Sequence, residues 1–372
     1  MSPGIWWQSA MFAWIFWAGL TLGCVALLYL HHSIRAAWSV AFLRFFEAGS
    51  RTLIPMGILL LVLLVAGGPY MYPWLEAAYA KNHFVQNRIA WMNLPWVIGR
   101  TIVYFVFWVI TTEWLTASGR REDRSGDFNE SERRASFGAP VGVIHVIVLT
   151  TAITDWVMSL DPSWYSTIFG AWFLVCQCLT ALSFCTMIMT WSRMNGREPY
   201  ARLTTKPMMR DWGNMMLGFT MMWAYFSLSQ FLIIWSGNLS QETGYYASRL
   251  NHDWNGIGTF LVFFSFFAPF LALLYNHTKR SPVTLFWTSA WIFFIRIVDM
   301  YWTIIPFFNR TGEHATPFTH LLPSLVTFVV IGAIWLVIFR LIWSRSTPLP
   351  LHDQRLAAAD PNMIGAVEPT HA

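Results

Sequence analysis

Apolar residues gather into nine runs of about 20 along the chain, at about 11–30, 53–68, 95–115, 140–159, 167–192, 211–236, 256–277, 283–305 and 319–343. Each run matches the length that crosses a hydrocarbon core of roughly 30 Å. None shows the residue-by-residue alternation of a lipid-facing strand, and a backbone in lipid must satisfy its own hydrogen bonds. The pattern therefore predicts an all-α bundle of about nine transmembrane helices, not a barrel. The second run is short, with Gly and Pro at its flanks, and is the weakest of the nine.

Three polar stretches between and after the runs carry distinct patterns. GRREDRSGDFNESERRA (119–135) mixes both signs of charge and reads as a solvated connector. SIRAAWSVAFLRFFEAGSRT (33–52) sets Trp38, Phe42, Phe45 and Phe46 against Arg35, Arg44 and Arg51, as an amphipathic helix lying in the membrane interface would. From Ser346 the chain is Pro-rich and aperiodic. It predicts a tail over 346–372 that stays mobile or lies extended on a partner, following a polytopic domain over 1–345.

Composition agrees, with 56% hydrophobic and only 12% charged residues. Charge then orients the helices. Arg35, Arg44, Arg51, Arg120, Arg121, Arg124, Arg133, Arg134, Arg193, Arg197, Arg202, Lys206, Arg210, Lys279 and Arg280 follow odd-numbered runs, with Arg340, Arg345 and Arg355 at the end. The opposite loops hold only Lys81, Arg88, Arg249 and Arg310. This bias predicts a periplasmic N-terminus and a cytoplasmic C-terminus. It also accounts for a pI near 9.1 through insertion and anionic lipid, with no need of nucleic acid. No basic residue precedes the first run, so that run is expected to stay as a helix and not to be cleaved. Cys24, Cys176, Cys178 and Cys185 all fall inside runs, as packing residues and not as a disulfide or zinc framework.

Candidate chemistry lies in the ionisable groups that the runs enclose. In TDWVMSLDPSWYSTIFG (154–170), Asp161 precedes Pro162 and reads as the N-cap of helix five. Asp155 lies about one turn before the end of helix four, where burial and the helix dipole favour a protonatable group. His145 stands earlier on that helix, roughly 15 Å away at 1.5 Å per residue, with Thr150, Thr151 and Thr154 between. A column of proton-exchanging groups is one expectation, and helix-to-helix hydrogen bonding the other. On helix eight Arg296 and Asp299 share a face and can pair. Glu113, Arg100, Gln177 and Gln230 extend the inventory. Trp164 and Tyr165 belong to the aromatic belt at the run ends and are also placed to line the entrance of a lipid-soluble ligand.

Several chemistries lack their anchors. Haem clamping by paired histidines, Cys-x-x-Cys-His attachment, an iron–sulfur Cys set and a Gly-rich nucleotide loop are all missing from the sequence. No covalently bound cofactor is expected, so electrons would reside in another subunit or in a diffusing quinone. No matched pair of broken helices suggests an inverted-repeat transporter.

Four segments carry a resemblance: TDWVMSLDPSWYSTIFG, YFSLSQFLIIWSGNLSQETGYYASRL, IRIVDMYW and PLHDQRL. With them the chain, over about 10–356, resembles the second polysulfide-reductase-like (NrfD-type) membrane subunit of alternative complex III. That complex is a bacterial quinol:cytochrome c or quinol:oxidase oxidoreductase of the cytoplasmic (inner) membrane. The resemblance implies a pair of four-helix bundles with peripheral helices. It implies partners as well: a sister NrfD-like membrane subunit, an iron–sulfur subunit, c-type cytochrome subunits, small membrane-anchored subunits, lipids and, in the oxidase form, a terminal oxidase. Haem c and iron–sulfur clusters would lie in those partners. Such subunits commonly have ten helices; nine here, without the usual first, imply the same termini as the charge bias.

The leading expectation is thus a subunit without its own redox cofactor that scaffolds an electron-transport complex through its loops at 69–94, 159–166, 237–255 and 306–318. A proton path would use Asp155, His145, Arg296, Asp299, Glu113 and Gln230. The alternatives are a menaquinone or other quinone site near Asp155, His145, Trp164 and Tyr165, and a purely structural subunit.

Overall fold

In a computed structural model the structure describes residues 2–34, 37–76, 83–251, 253–309, 315–350, 352–353 and 355–356, apart from the side chains of Phe84 and Gln241. Arg35, Lys81, Arg310 and most of the tail lie outside them. The described residues are helical and contain no strand. Among the described residues nine helices are long and apolar enough to cross a membrane: α1 Pro3–Ser33, α2 Ala37–Met71, α3 Leu94–Ser125, α4 Asn129–Leu160, α5 Phe169–Met194, α6 Lys206–Gly237, α7 Asn255–Leu274, α8 Pro282–Phe308 and α9 Leu321–Ser344. The chain is a multi-pass all-helical membrane protein.

Two rings of four helices make up the body. In the first, α1 packs on α2, α2 on α3, α3 on α4, and α4 returns to α1; α5 to α8 repeat the cycle, with α8 closing on α5. The rings meet where α1 and α4 pack on α5, and α9 lies outside against α1. This seam explains why α1 is apolar all round: 94% of its most apolar window is buried, against 22% for α9. Gly19 and Gly23, one turn apart, let the α1 backbone approach α5. A Cβ on Gly23 would sit 2.2 Å from the carbonyl oxygen of Gln177.

The rings also repeat in sequence. Asn93 Oδ1 accepts from the N–H of Trp96 at the start of α3, and Asn251 Oδ1 accepts from the N–H of Trp254 in the turn that opens α7, both at 3.1 Å. The same spacing separates Asp155 from Pro162 after α4 and Asp299 from Pro306 at the end of α8. Because each ring holds four spans, corresponding helices run in the same direction. This is a parallel repeat and not an inverted one.

The segment expected as an interfacial helix is instead the buried start of α2. Phe42, Phe45 and Phe46 are fully enclosed and Arg44 is only 3% exposed. Their rings find cover: Phe42 lies against Trp212, and Phe45 against Tyr200 and Trp343. Arg44 pairs with Glu47 at 2.7 Å and with Asp123. The charge that marked an interface on the helical wheel is neutralised inside the protein. The weak second run is spanned by the remainder of α2, through a π-turn at Leu63–Gly67.

Candidate functional site

The polar candidates separate by ring. In the first ring Asp155, 2% exposed, faces Arg100 of α3. Arg100 Nε donates to Oδ2 at 2.8 Å and Nη2 to Oδ1 at 2.9 Å, while Trp91 Nε1 and Tyr104 OH each donate at 2.9 Å. The guanidinium also lies over the Trp91 ring, 4.0 Å from its centre. Asp155 was expected as a protonatable end of a column. The structure places it against a guanidinium that α3 brings and that linear spacing did not reveal.

His145 does not meet Asp155. Its Nδ1 accepts from Trp108 Nε1 at 2.9 Å, its ring packs edge-on to Tyr29, and its Nε2 is buried without a hydrogen-bond partner. Rings of Tyr104, Trp108 and Trp156 fill the distance between the two. Thr150, Thr151 and Thr154 turn their hydroxyls onto carbonyls of their own helix. Toward the arginine-rich end, Tyr29 OH meets Thr111 Oγ1 at 2.6 Å, and beyond lie buried His31 and His32.

The described part of the tail reaches that same end. Arg355 donates to the carbonyl of His31 at 2.7 Å and grips Asp353 through Nε and Nη2 at 2.8 and 2.7 Å. Burial would raise the Asp353 pKa, but Arg355 prevails and holds it below the usual carboxylate value. Asp353 and Arg355 of the tail thus lie on the chain's own first helix.

Two further candidates are peripheral. Glu113 is paired at the surface with Arg51, at 2.6 and 2.7 Å, and with Arg120 at 3.6 Å. Asp161 does not cap α5, which begins at Phe169. Its Oδ1 accepts from the N–H and Oγ of Ser163, closing a local turn that leaves Trp164 free to tuck inward.

In the second ring Arg296 and Asp299 pair as expected, at 2.9 Å and both 2% exposed in their side chains. Arg296 spends its hydrogen bonds elsewhere, on Ser265 Oγ at 3.0 Å and Cys176 Sγ at 3.4 Å. Asp299 Oδ2 lies beside the guanidinium outside hydrogen-bonding geometry, with the Trp223 indole next to the same carboxylate. Asp299 opens onto a cavity of about 720 Å³ lined by α6, α7 and α8, with Gln230, Trp302 and Tyr246 on its walls. The Trp302 Nε1 donor is buried and unpartnered.

The cavity follows from how α7 is built. Its second half, Ala268–Leu274, packs on both α6 and α8, whereas its first half, Asn255–Leu261, packs on α8 and stands off α6, with a π-helical stretch at Val262–Phe267 between. The helices therefore splay. Trp291 Nε1 takes up a π-helix carbonyl, that of Phe264, at 3.0 Å.

The quinone candidates are not brought together. Trp164 is buried and stacks on Tyr245 with centres 4.3 Å apart, beside the second ring. Tyr165 is exposed, with Arg88 over its ring at 5.5 Å. Asp155 and His145 sit in the first ring. Sequence reasoning missed Arg249, counted only as a loop cation. It is fully buried, donates to the carbonyls of Tyr245 and Thr303, and lies 3.6 Å from the Tyr245 ring centre. Burial lowers its pKa from the ordinary guanidinium value, with Tyr245 and Tyr246 opposing. A fully buried side chain among rings leaves no linear signal.

Among the described residues no group of three or more His, Cys, Asp or Glu is arranged to hold a metal ion. No protein-family model matches the chain, and no curated protein matches it either.

Proposed function

We propose that this chain is an NrfD-type membrane subunit of a quinol-oxidising complex of the alternative complex III kind, acting as the platform on which iron–sulfur and c-haem subunits assemble. The observation that carries this reading is the parallel pair of four-helix rings with a ninth helix outside. It is the architecture that the sequence resemblance implied. Isolation from the native membrane in mild detergent tests it. Co-purification with polypeptides that carry c-type haem and iron–sulfur clusters is expected. A chain that purifies with no redox-active partner would reject the reading.

In such a complex the first ring supplies the proton path. Its polar groups, His31 and His32, the Tyr29–Thr111 pair and His145 on Trp108, follow one another from the arginine-rich end, and aromatic rings separate His145 from Asp155. His145 is the hinge of this reading: with Nδ1 accepting from Trp108 its Nε2 carries the ring proton, so taking up a second proton at Nδ1 requires the Trp108 bond to open. His145→Phe in the intact complex should leave electron transfer running and depress proton uptake in proteoliposomes. Unchanged uptake would remove the path.

A second reading is favoured by the cavity at Asp299. An apolar slot of about 720 Å³ with the ion-paired Asp299 and the indole of Trp302 in its wall suits the ring and hydroxyl of a quinol. This moves the quinone site from the first ring to the second. A photoactivatable quinone analogue should label the walls of the cavity in nanodiscs, and excess quinol should compete. Labelling confined to the Trp164 and Asp155 region would reject it.

A further inference from the structure

The arginine-rich end holds a second cavity, of about 530 Å³, between the start of α2, the end of α3 and the end of α9. Arg44, Arg51, Arg120, Arg124 and Arg345 line it, against the carboxylates of Glu47 and Asp123. Both carboxylates are already engaged by Arg44, one on each terminal nitrogen. Arg51 turns its fork outward to Glu113. Arg124 and Arg345 take part in no ion pair among the described residues. Among the described residues the cavity therefore holds an excess of cation over carboxylate.

A buried atom points the same way. Arg44, one of the residues lining the cavity, is 3% exposed, and its Nε is enclosed with no hydrogen-bond partner. A charged donor left open in a dry place is costly unless an acceptor reaches it. The wall opposite is apolar, made by Leu341 and Ile342 of α9. Here α9 packs on the Leu43–Ser50 stretch and not along Leu53–Val62. Ile54 and Ile58 on that second stretch, and Leu341 on α9, remain exposed on the flank. A ligand for this place needs an anionic head with several acceptor oxygens and an oily body continuous with the bilayer.

We propose that the cavity binds the phosphate of an anionic glycerophospholipid, with acyl chains on the exposed faces of α2 and α9, so that the lipid ties α9 to the first ring. Guanidinium forks match phosphate oxygens in pairs. The charge bias places this end at the cytoplasmic leaflet, where anionic lipid draws Lys and Arg.

The test uses the full-length protein and a variant carrying Arg124→Gln and Arg345→Gln, two exposed side chains whose loss spares the buried pairs. In native mass spectrometry the wild type should keep a phosphatidylglycerol molecule that the variant loses about tenfold more readily. In nanodiscs, phosphatidylglycerol should raise the melting temperature of the wild type above that in phosphatidylcholine, with little gain for the variant. Equal stabilisation by the two lipids, or equal lipid retention by the two proteins, would overturn the proposal. An equal gain from inorganic phosphate in phosphatidylcholine discs would also overturn it, in favour of a free-anion site.

Discussion

The two rings place a buried aspartate at the same point, before a proline at the end of their fourth helix, and treat it in opposite ways. Asp155 is gripped by an arginine from another helix, and donors fill its surroundings. Asp299 has its arginine on its own helix, three residues back, in an ion pair without hydrogen-bonding geometry beside a cavity. The difference traces to the third helix of each ring. Both begin with Asn-x-x-Trp, and four residues after that Trp, just before a Thr, stands Arg100 in α3 but Gly258 in α7. One cation across the helix interface closes the first ring; its omission leaves room in the second. Where a charge originates matters here as much as whether it is paired.

Breaking the clamp should have the largest effect. Arg100→Met strands a buried carboxylate and should cost roughly 3–5 kcal/mol of stability, while Arg100→Met with Asp155→Leu should recover most of it. Melting temperatures of purified protein check this. If the double variant is as unstable as the single, the clamp is not the reason. Asp299→Asn should cost less, about 1–3 kcal/mol, because Arg296 keeps Ser265 and Cys176.

The tail contact should respond only to acid. Asp353 has a depressed folded pKa, so its contribution is complete above the unfolded value of about 3.9 and fades as pH falls through the folded value. Hydrogen exchange at 352–356 should therefore be flat from pH 8 to about 5 and rise below about 4. A rise near neutrality would mean that His31 controls the contact. Smallest of all, Glu113→Gln should shift stability by less than about 1 kcal/mol, since its pair with Arg51 is half exposed.

The nine spans were legible because length and hydropathy alone decide whether a helix crosses lipid. The Arg296–Asp299 pair was legible because three residues along a helix fix a shared face. The Asp155 clamp was not, since Arg100 reaches it from another helix and no periodicity encodes that meeting. Asp161 misled in the opposite sense. Asp-Pro is a sound start signal for a helix, yet here the chain first turns Trp164 inward onto Tyr245, and α5 begins later. The interfacial reading of 33–52 failed because amphipathicity says a face is apolar, not whether lipid or protein covers it. The repeat of the two rings rests on a few capping and buried positions, too sparse to stand out before the helices were placed.

A lipid-soluble carbodiimide tests the contrast between the rings most directly, because it modifies carboxyl groups that it can reach from the bilayer. After treatment of the protein in nanodiscs and peptide mapping, Asp299 should be modified and Asp155 spared, and a quinol that fills the cavity should protect Asp299. Modification of Asp155 at an equal or greater rate, or an unreactive Asp299, would contradict the account.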